Sequence, residues 1–282
     1  MRENFYVSSL AFLGVPINEI IQICERNQFN LEFSSGIPYL NRMEEIYIEA
    51  DLQRMPHNYF PAPEIPFVLN LASGNEKIRN LSIDHCKNGL RISKISNSPF
   101  FAAHAGFCID PNPEELGRKI TFSDNFDKSF HESLFESSIK EILEFADSLN
   151  VNFLIENNVL APFNYSGVNP LLCCDSEGIN SFFEKINHSR IGLLLDTAHL
   201  KVSCKTLDLD KEIELSKIKH HIRAIHHSDN NGEMDDNQSL DLDYWFLKHM
   251  NQFNTLVHVL EVKNLSVEEV KRQISLLEDF GN

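Results

Sequence analysis

Along this chain, short apolar runs that close on a polar residue alternate with longer stretches whose apolar residues recur at helical spacing. Phe5 to Gly14 reads as a strand and Pro16 to Gln28 as a helix, with Ile17, Ile20, Ile21 and Cys24 on one face. Asn30 to Gly36 and Tyr39 to Glu49 repeat the pair. A third strand is expected within Ala50 to Phe60, ending near His57, with the run Phe67 to Leu71 as its alternative; Glu76 to Ile95 is helical. The same rhythm gives strand Phe100 to Gly106 with helix Ser129 to Leu149, and strand Val151 to Asn158 with helix Gly178 to Ile186. It continues with Ile191 to His199, an apolar run closing on Asp196 and His199, before a helix from Leu209 to His221. Strand Ile222 to Asn230, helix Leu242 to Met250 and strand Leu256 to Lys263 lead to a last helix, opened by a capping box of Ser266 and Glu269.

Eight strand-then-helix units in strict alternation predict an α/β fold of one kind, a closed (β/α)8 TIM barrel. An open doubly wound sheet is the alternative, but no Gly-rich phosphate loop follows the first strand. The 282 residues suffice for one barrel, which takes about 250. No linker divides the chain, so residues 1–282 are expected to form one domain.

Composition narrows the partners. With 25 Lys and Arg against 41 Asp and Glu, the formal charge is −16, which opposes binding to phosphate backbones and anionic membrane surfaces. The six cysteines, Cys24, Cys86, Cys108, Cys173, Cys174 and Cys204, have no C-x-x-C spacing and read as reduced packing thiols. Met1 to Leu13 lacks a signal-peptide cleavage site, and no apolar run approaches the ~18 residues of a membrane span. The protein is expected to be soluble and cytoplasmic.

In a parallel barrel the strand ends meet on one face, where α/β folds gather their chemistry. Strands five to eight bring Glu156, Asp196, His226 and Glu261 there. Each alone has a bland reading: Asp196 caps the next helix, and His199 is satisfied by a loop carbonyl. Four ligand-type residues on successive strands reverse that reading. Three carboxylates crowded at one mouth require a cation, since repulsion and desolvation would otherwise force protons onto them. The oxygen-rich set with one imidazole suits a divalent ion, Mn2+, Zn2+, Co2+ or Mg2+, without selecting among them. Lys263 or Arg223 could meet an anionic group of a substrate, and solvated surface charge is the simpler reading of each.

The stretches Leu154-Ile155-Glu156-Asn157, Leu195-Asp196-Thr197-Ala198-His199, Ile225-His226-His227-Ser228-Asp229-Asn230 and Leu260-Glu261 resemble, in order and spacing, the motifs of the xylose-isomerase-like barrel superfamily. That superfamily holds sugar and sugar phosphate isomerases and epimerases together with endonuclease-IV-type enzymes. The resemblance covers nearly the whole chain. It implies one divalent ion held by Glu156, Asp196, His226 and Glu261, or two ions in all. His226 fits the ligand role better than His227, because Asp229 then falls at the family's spacing. His57, His104, His199 and Asp235 are implied as substrate contacts or further metal ligands. In the endonuclease branch a histidine follows two residues after the acid matched by Asp235, and here that position is Asn237.

The resemblance therefore implies an enzyme of the sugar branch. Glu156 and Glu261 would carry the proton of a small sugar or sugar phosphate through an enediolate. The rivals are metal-dependent phosphodiester hydrolysis at abasic DNA and a metal- or ligand-binding barrel without catalysis, with a dehydratase as a variant of the same first step. Nucleic acid is disfavoured by the acidic surface.

Overall fold

The computed structural model describes residues 3–123 and 125–281; Met1 and Arg2, at the head of the amino-terminal stretch, lie outside them. Eight parallel strands follow in chain order: β1 (Phe5–Ser8), β2 (Asn30–Phe33), β3 (Arg54–Pro56), β4 (Phe100–His104), β5 (Asn152–Glu156), β6 (Ile191–Asp196), β7 (Ile222–His227) and β8 (Val257–Leu260). Hydrogen-bonded neighbours run β3-β2-β1-β8-β7-β6-β5-β4. Between β3 and β4 a parallel bridge joins His57 to Ala102, where Asn58 N donates to Ala102 O at 2.8 Å. The result is a nearly closed (β/α)8 barrel.

The helices are α1 (Ile17–Asn27), α2 (Met43–Glu49), α3 (Glu76–Ser96), α4 (Lys128–Leu149), α5 (Ser176–Ile186), α6 (Thr197–Thr206), α7 (Lys211–Ile218), α8 (Met250–Phe253) and α9 (Val267–Phe280). Their ends are written locally. Helices α3, α4 and α5 each stop at an asparagine in the left-handed region, Asn97, Asn150 and Asn187. Helix α9 opens on the expected capping box, Ser266 accepting from Glu269 N while the Glu269 carboxylate accepts from Ser266 N. None of the described helices is long and apolar enough to cross a membrane.

Several boundaries differ from the sequence pattern. Strand β1 ends at Ser8, whose hydroxyl accepts from Leu10 N and starts a 3-10 turn over Ser9–Phe12. The third strand lies within Ala50 to Phe60, and Phe67 to Leu71 is loop. Strand β6 stops at Asp196, because that side chain caps α6, a helix the apolar pattern did not announce; His199 therefore stands on a helix. Leu242 to Met250 is mostly turn before α8. There the Asp241 side chain accepts from Asp243 N and its carbonyl from Tyr244 N, a local alternative to helix.

The core has two shells. One lies between strands and helices, with Phe33, Phe101, Phe153 and Ile225 facing outward from the barrel. Helix α3 approaches β4 closely at Gly89, where a Cβ would stand 2.3 Å from the Phe101 ring. The six cysteines are all buried and free, as packing thiols. The second shell fills the barrel itself with Tyr6, Met55, Phe100, Ala102, Leu154, Leu194, Ala224 and Val259. Because strand side chains repeat every two residues, the next inward position on each strand forms one layer above that apolar plug: Ser8, Glu32, His57, His104, Glu156, Asp196, His226 and Glu261.

Candidate metal centre at the barrel mouth

Glu156, Asp196, His226 and Glu261 come together in this layer, one ligand atom from each lying within 4.8 Å of all the others. His226 stands between the two glutamates: its Nδ1 is 2.8 Å from Glu261 Oε2 and 3.6 Å from Glu156 Oε1. Asp196 serves two purposes with its two oxygens. Oδ1 accepts from His199 N at 2.7 Å and caps α6, while the buried Oδ2 has no hydrogen-bond partner and faces inward. The capping role and the ligand role are therefore compatible.

Asn157 fixes this end of β6. Its Oδ1 accepts from Asp196 N at 2.8 Å and its Nδ2 donates to Asp196 O at 3.1 Å, extending the pairing of β5 with β6 by side chain alone. Its carbonyl accepts from His199 Nδ1 at 2.9 Å, leaving His199 Nε2 to meet Asp235 Oδ2 at 3.2 Å. His199 and Asp235 thus pair with each other at the rim. Asn237, where the resemblance expects a histidine, uses its carbonyl to accept from Lys263 N.

His57 and His104 join Glu156 in a second metal-capable group. His57 Nε2 lies 3.1 Å and His104 Nδ1 3.4 Å from Glu156 Oε2. A third group consists of His57, His226 and Glu32. Glu32 is the residue that sequence reasoning missed. The available signal was a carboxylate set between Leu31 and Phe33 in a strand that is otherwise buried. Arg223 lies at the opposite end of β7, where it donates to His220 O and Ile222 O, so it cannot meet a ligand at this mouth.

The electrostatics follow from burial and crowding. Desolvation raises Glu156, but His104, His57 and His226 outweigh it and hold the carboxyl well below the usual range. Burial likewise raises Glu261, and His226 brings it down. Asp196 has no such surplus: burial, together with Asp235, Glu261 and Glu156, pushes it up to about 8 against the pull of His199. Burial lowers His57, His199 and His226, yet the carboxylates beside them raise all three above the ordinary imidazole value. His104 is brought down to about 4 by burial.

These features fit a divalent cation. Buried Glu156 Oε2, Asp196 Oδ2, His57 Nδ1 and His104 Nδ1 have no hydrogen-bond partner, and buried polar atoms are normally paired. A carboxylate that would hold its proton to about 8 is the response of crowded anions that a cation relieves. Glu156, Asp196, His226 and Glu261 offer three oxygens and one nitrogen, a set compatible with Mn2+, Zn2+, Co2+ or Mg2+.

His227 faces away from the cage and belongs to a buried chain. Thr197 Oγ1 is 2.6 Å from Tyr244 Oη, Tyr244 Oη is 3.0 Å from His227 Nδ1, and His227 Nε2 is 2.9 Å from His258 Nδ1. His258 Nε2 donates to Phe253 O at 3.1 Å. That last carbonyl can only accept, so with neutral rings His227 Nε2 donates to His258 Nδ1 and Tyr244 Oη donates to His227 Nδ1.

Above the cage opens a cavity of about 440 Å³ with His104, His199 and Asp235 in its lining. Its walls carry Tyr59, Phe67, Phe107, Leu116, Phe163 and Met234, and among the described residues no Lys or Arg lines it. The amides of Asn158 and Asn164 donate to backbone carbonyls at Ala105 and Arg118. Lys201, nearby in sequence, is paired with Asp229.

Comparisons with known proteins agree with this architecture. The family model described as xylose isomerase-like TIM barrel matches residues 19–280. No curated protein sequence matches the chain. Among solved structures, a D-tagatose 3-epimerase-like protein is similar over 98% of this chain and 96% of its own, with a TM-score of 0.74 and 18% identity. A 3-keto-D-glucoside 4-epimerase from E. coli follows at a TM-score of 0.67 and 11% identity, covering 99% of both chains. An AP endonuclease of family 2 from Brucella melitensis has a TM-score of 0.65 and 13% identity, again over 99% of both. At these identities the likeness is one of fold.

Proposed function

Because the chain belongs to the xylose isomerase-like TIM barrel family, we propose that it is a divalent-metal-dependent isomerase or epimerase of a small sugar, acting by proton transfer through an enediolate. The observation that carries this reading is the reach of Glu156 and Glu261. They come from strands three places apart around the barrel, yet contribute to one cage spanning 4.8 Å. Two carboxylates flanking one substrate position are what proton removal and return on opposite faces require.

A divalent cation held by Glu156, Asp196, His226 and Glu261 would polarise the substrate carbonyl and offset the charge of the enediolate. The chain's own residues do the rest. Glu156, kept ionised by His104, His57 and His226, accepts the carbon-bound proton. Glu261, once protonated from solvent, returns a proton to the other face, and Glu156 gives the proton it took back to solvent, so the sugar's composition is unchanged. His199, fixed at Nδ1 by Asn157 O, offers Nε2 to a substrate hydroxyl with Asp235 beside it. His57 and His104 complete the floor.

An unphosphorylated sugar is favoured over a sugar phosphate. No cation lines the cavity among the described residues, whereas the carboxylate of Asp235 does. The test is incubation of the Mn2+-loaded protein with a panel of ketoses and aldoses in deuterated water. Deuterium appears at carbon in a substrate, and Glu156→Gln and Glu261→Gln abolish net conversion of that substrate while the fold survives. Full conversion in either variant would sink the mechanism.

A second reading, phosphodiester hydrolysis at abasic DNA, has one observation in its favour: His57, His104 and Glu156 form a second metal-capable group. The charge of −16 and a cavity lined, among the described residues, by a carboxylate and no Lys or Arg argue against it. Two or more ions per chain together with cleavage of an abasic duplex would establish it over the sugar reading.

A further inference from the structure

We infer that Glu32 is a positioning residue that holds His226 and His57 from behind, so that the front nitrogens of both rings face the cation cage. This rests on the metal-dependent reading above. Glu32 is the inward residue of β2 and is fully buried. Its Oε2 accepts from His226 Nε2 at 2.9 Å and lies 4.0 Å from His57 Nδ1. The other nitrogen of each ring points the opposite way. His226 Nδ1 is 2.8 Å from Glu261 Oε2 and 3.6 Å from Glu156 Oε1, and His57 Nε2 is 3.1 Å from Glu156 Oε2. The carboxylate therefore hydrogen-bonds the rear nitrogen of His226 and stands behind that of His57 without bonding it, while the front atoms of the two rings enter two different metal-capable groups.

A glutamate at this depth is costly unless its partners repay the desolvation, and its neighbours here are imidazoles that carry fixed charge only when protonated. A carboxylate behind a ligating histidine has a specific use. It accepts a hydrogen bond from the rear N–H and so keeps the proton on that nitrogen, which leaves the lone pair of the front nitrogen for a metal and locks the ring plane. The two rings also meet edge to face with centroids 4.7 Å apart, so turning one disturbs the other.

The test is Co2+ titration of the full chain, followed by its visible absorption and by competition with a chromophoric chelator, in wild type, Glu32→Gln and Glu32→Asp. The expected result for Glu32→Gln is a loss of about 10- to 100-fold in Co2+ affinity, with the number of ions unchanged and the visible band altered. Glu32→Asp, whose shorter arm keeps the charge but reaches one ring at most, falls between; it carries the test if the glutamine variant fails to fold by circular dichroism. Affinity within about twofold of wild type in a folded variant overturns the inference alone. Loss of one whole ion also overturns it, by making Glu32 a ligand. A wild type that takes up no Co2+ removes the metal-dependent reading and this inference with it.

Discussion

Replacing Asn157 by leucine keeps the side chain close to its natural volume and removes both hydrogen bonds to Asp196. The Asp196 N–H, buried at the end of β6, loses the oxygen it donates to at 2.8 Å. A stranded buried donor costs about 1–3 kcal/mol, and the second bond adds about 0.5–1.5 kcal/mol. The carbonyl side belongs at the low end, because a helix-capping residue's carbonyl already accepts the first bond of its helix. Together these give a destabilisation of about 3 kcal/mol. Equilibrium urea unfolding of Asn157→Leu against wild type measures it, and Co2+ affinity measured alongside should fall, since Asp196 is no longer clamped. A loss under about 1 kcal/mol with unchanged metal affinity would refute the reasoning, because it would mean that β6 and its carboxylate are positioned by the barrel alone.

Other outcomes follow from particular contacts. Gly89→Ala puts a methyl 2.3 Å from the Phe101 ring, so α3 must lift from β4, and thermal unfolding should register a loss of about 1–3 kcal/mol. His85 and His227 have imidazoles lowered by burial. The unfolded chain therefore binds more protons below its own value of about 6.5, and their stabilisation, full above that pH, is lost as the pH falls through about 6.5 towards the folded values. Because the raised His57, His199 and His226 act in the opposite direction in both proteins, the readout is a difference: between pH 7.5 and 5.5 urea stability should fall by less, or rise by more, in His85→Gln than in wild type. Chelation should lower the melting temperature reversibly; restoring free ion to 100 times Kd returns about 2.7 kcal/mol, and no change on chelation would count against the cation.

The barrel was legible because its signal is redundant: eight apolar runs alternate with helical spacing, and losing one boundary leaves the count intact. Helix α6 was less legible, since its sequence, Thr197 to Thr206, is buried on several sides and lacks a clean polar face. The cage residues could be read where a charged side chain ended an apolar run, as at Glu156 and Asp196. Glu32 could not be singled out that way, because nothing local says which face of β2 turns inward. That face is set by pairing: Leu31 sits opposite Val7, and Glu32 opposite Ser8, in the register with β1. Once the inward layer is known, each of its polar members lies two residues beyond the preceding inward position. Asn157 was hidden for a different reason, acting on β6 through its side chain where the strand ladder has already stopped.

The buried chain from Thr197 to Phe253 has a further consequence. Its bonds from Tyr244 onward point the same way, Tyr244 to His227, His227 to His258 and His258 to the carbonyl of Phe253. Aligned dipoles add, and in a buried interior they are weakly screened. The electron-rich end of that aligned run lies at Tyr244 Oη, 2.6 Å from Thr197 Oγ1. It therefore stands beside the positive amino terminus of α6, which begins at Thr197, and counters it.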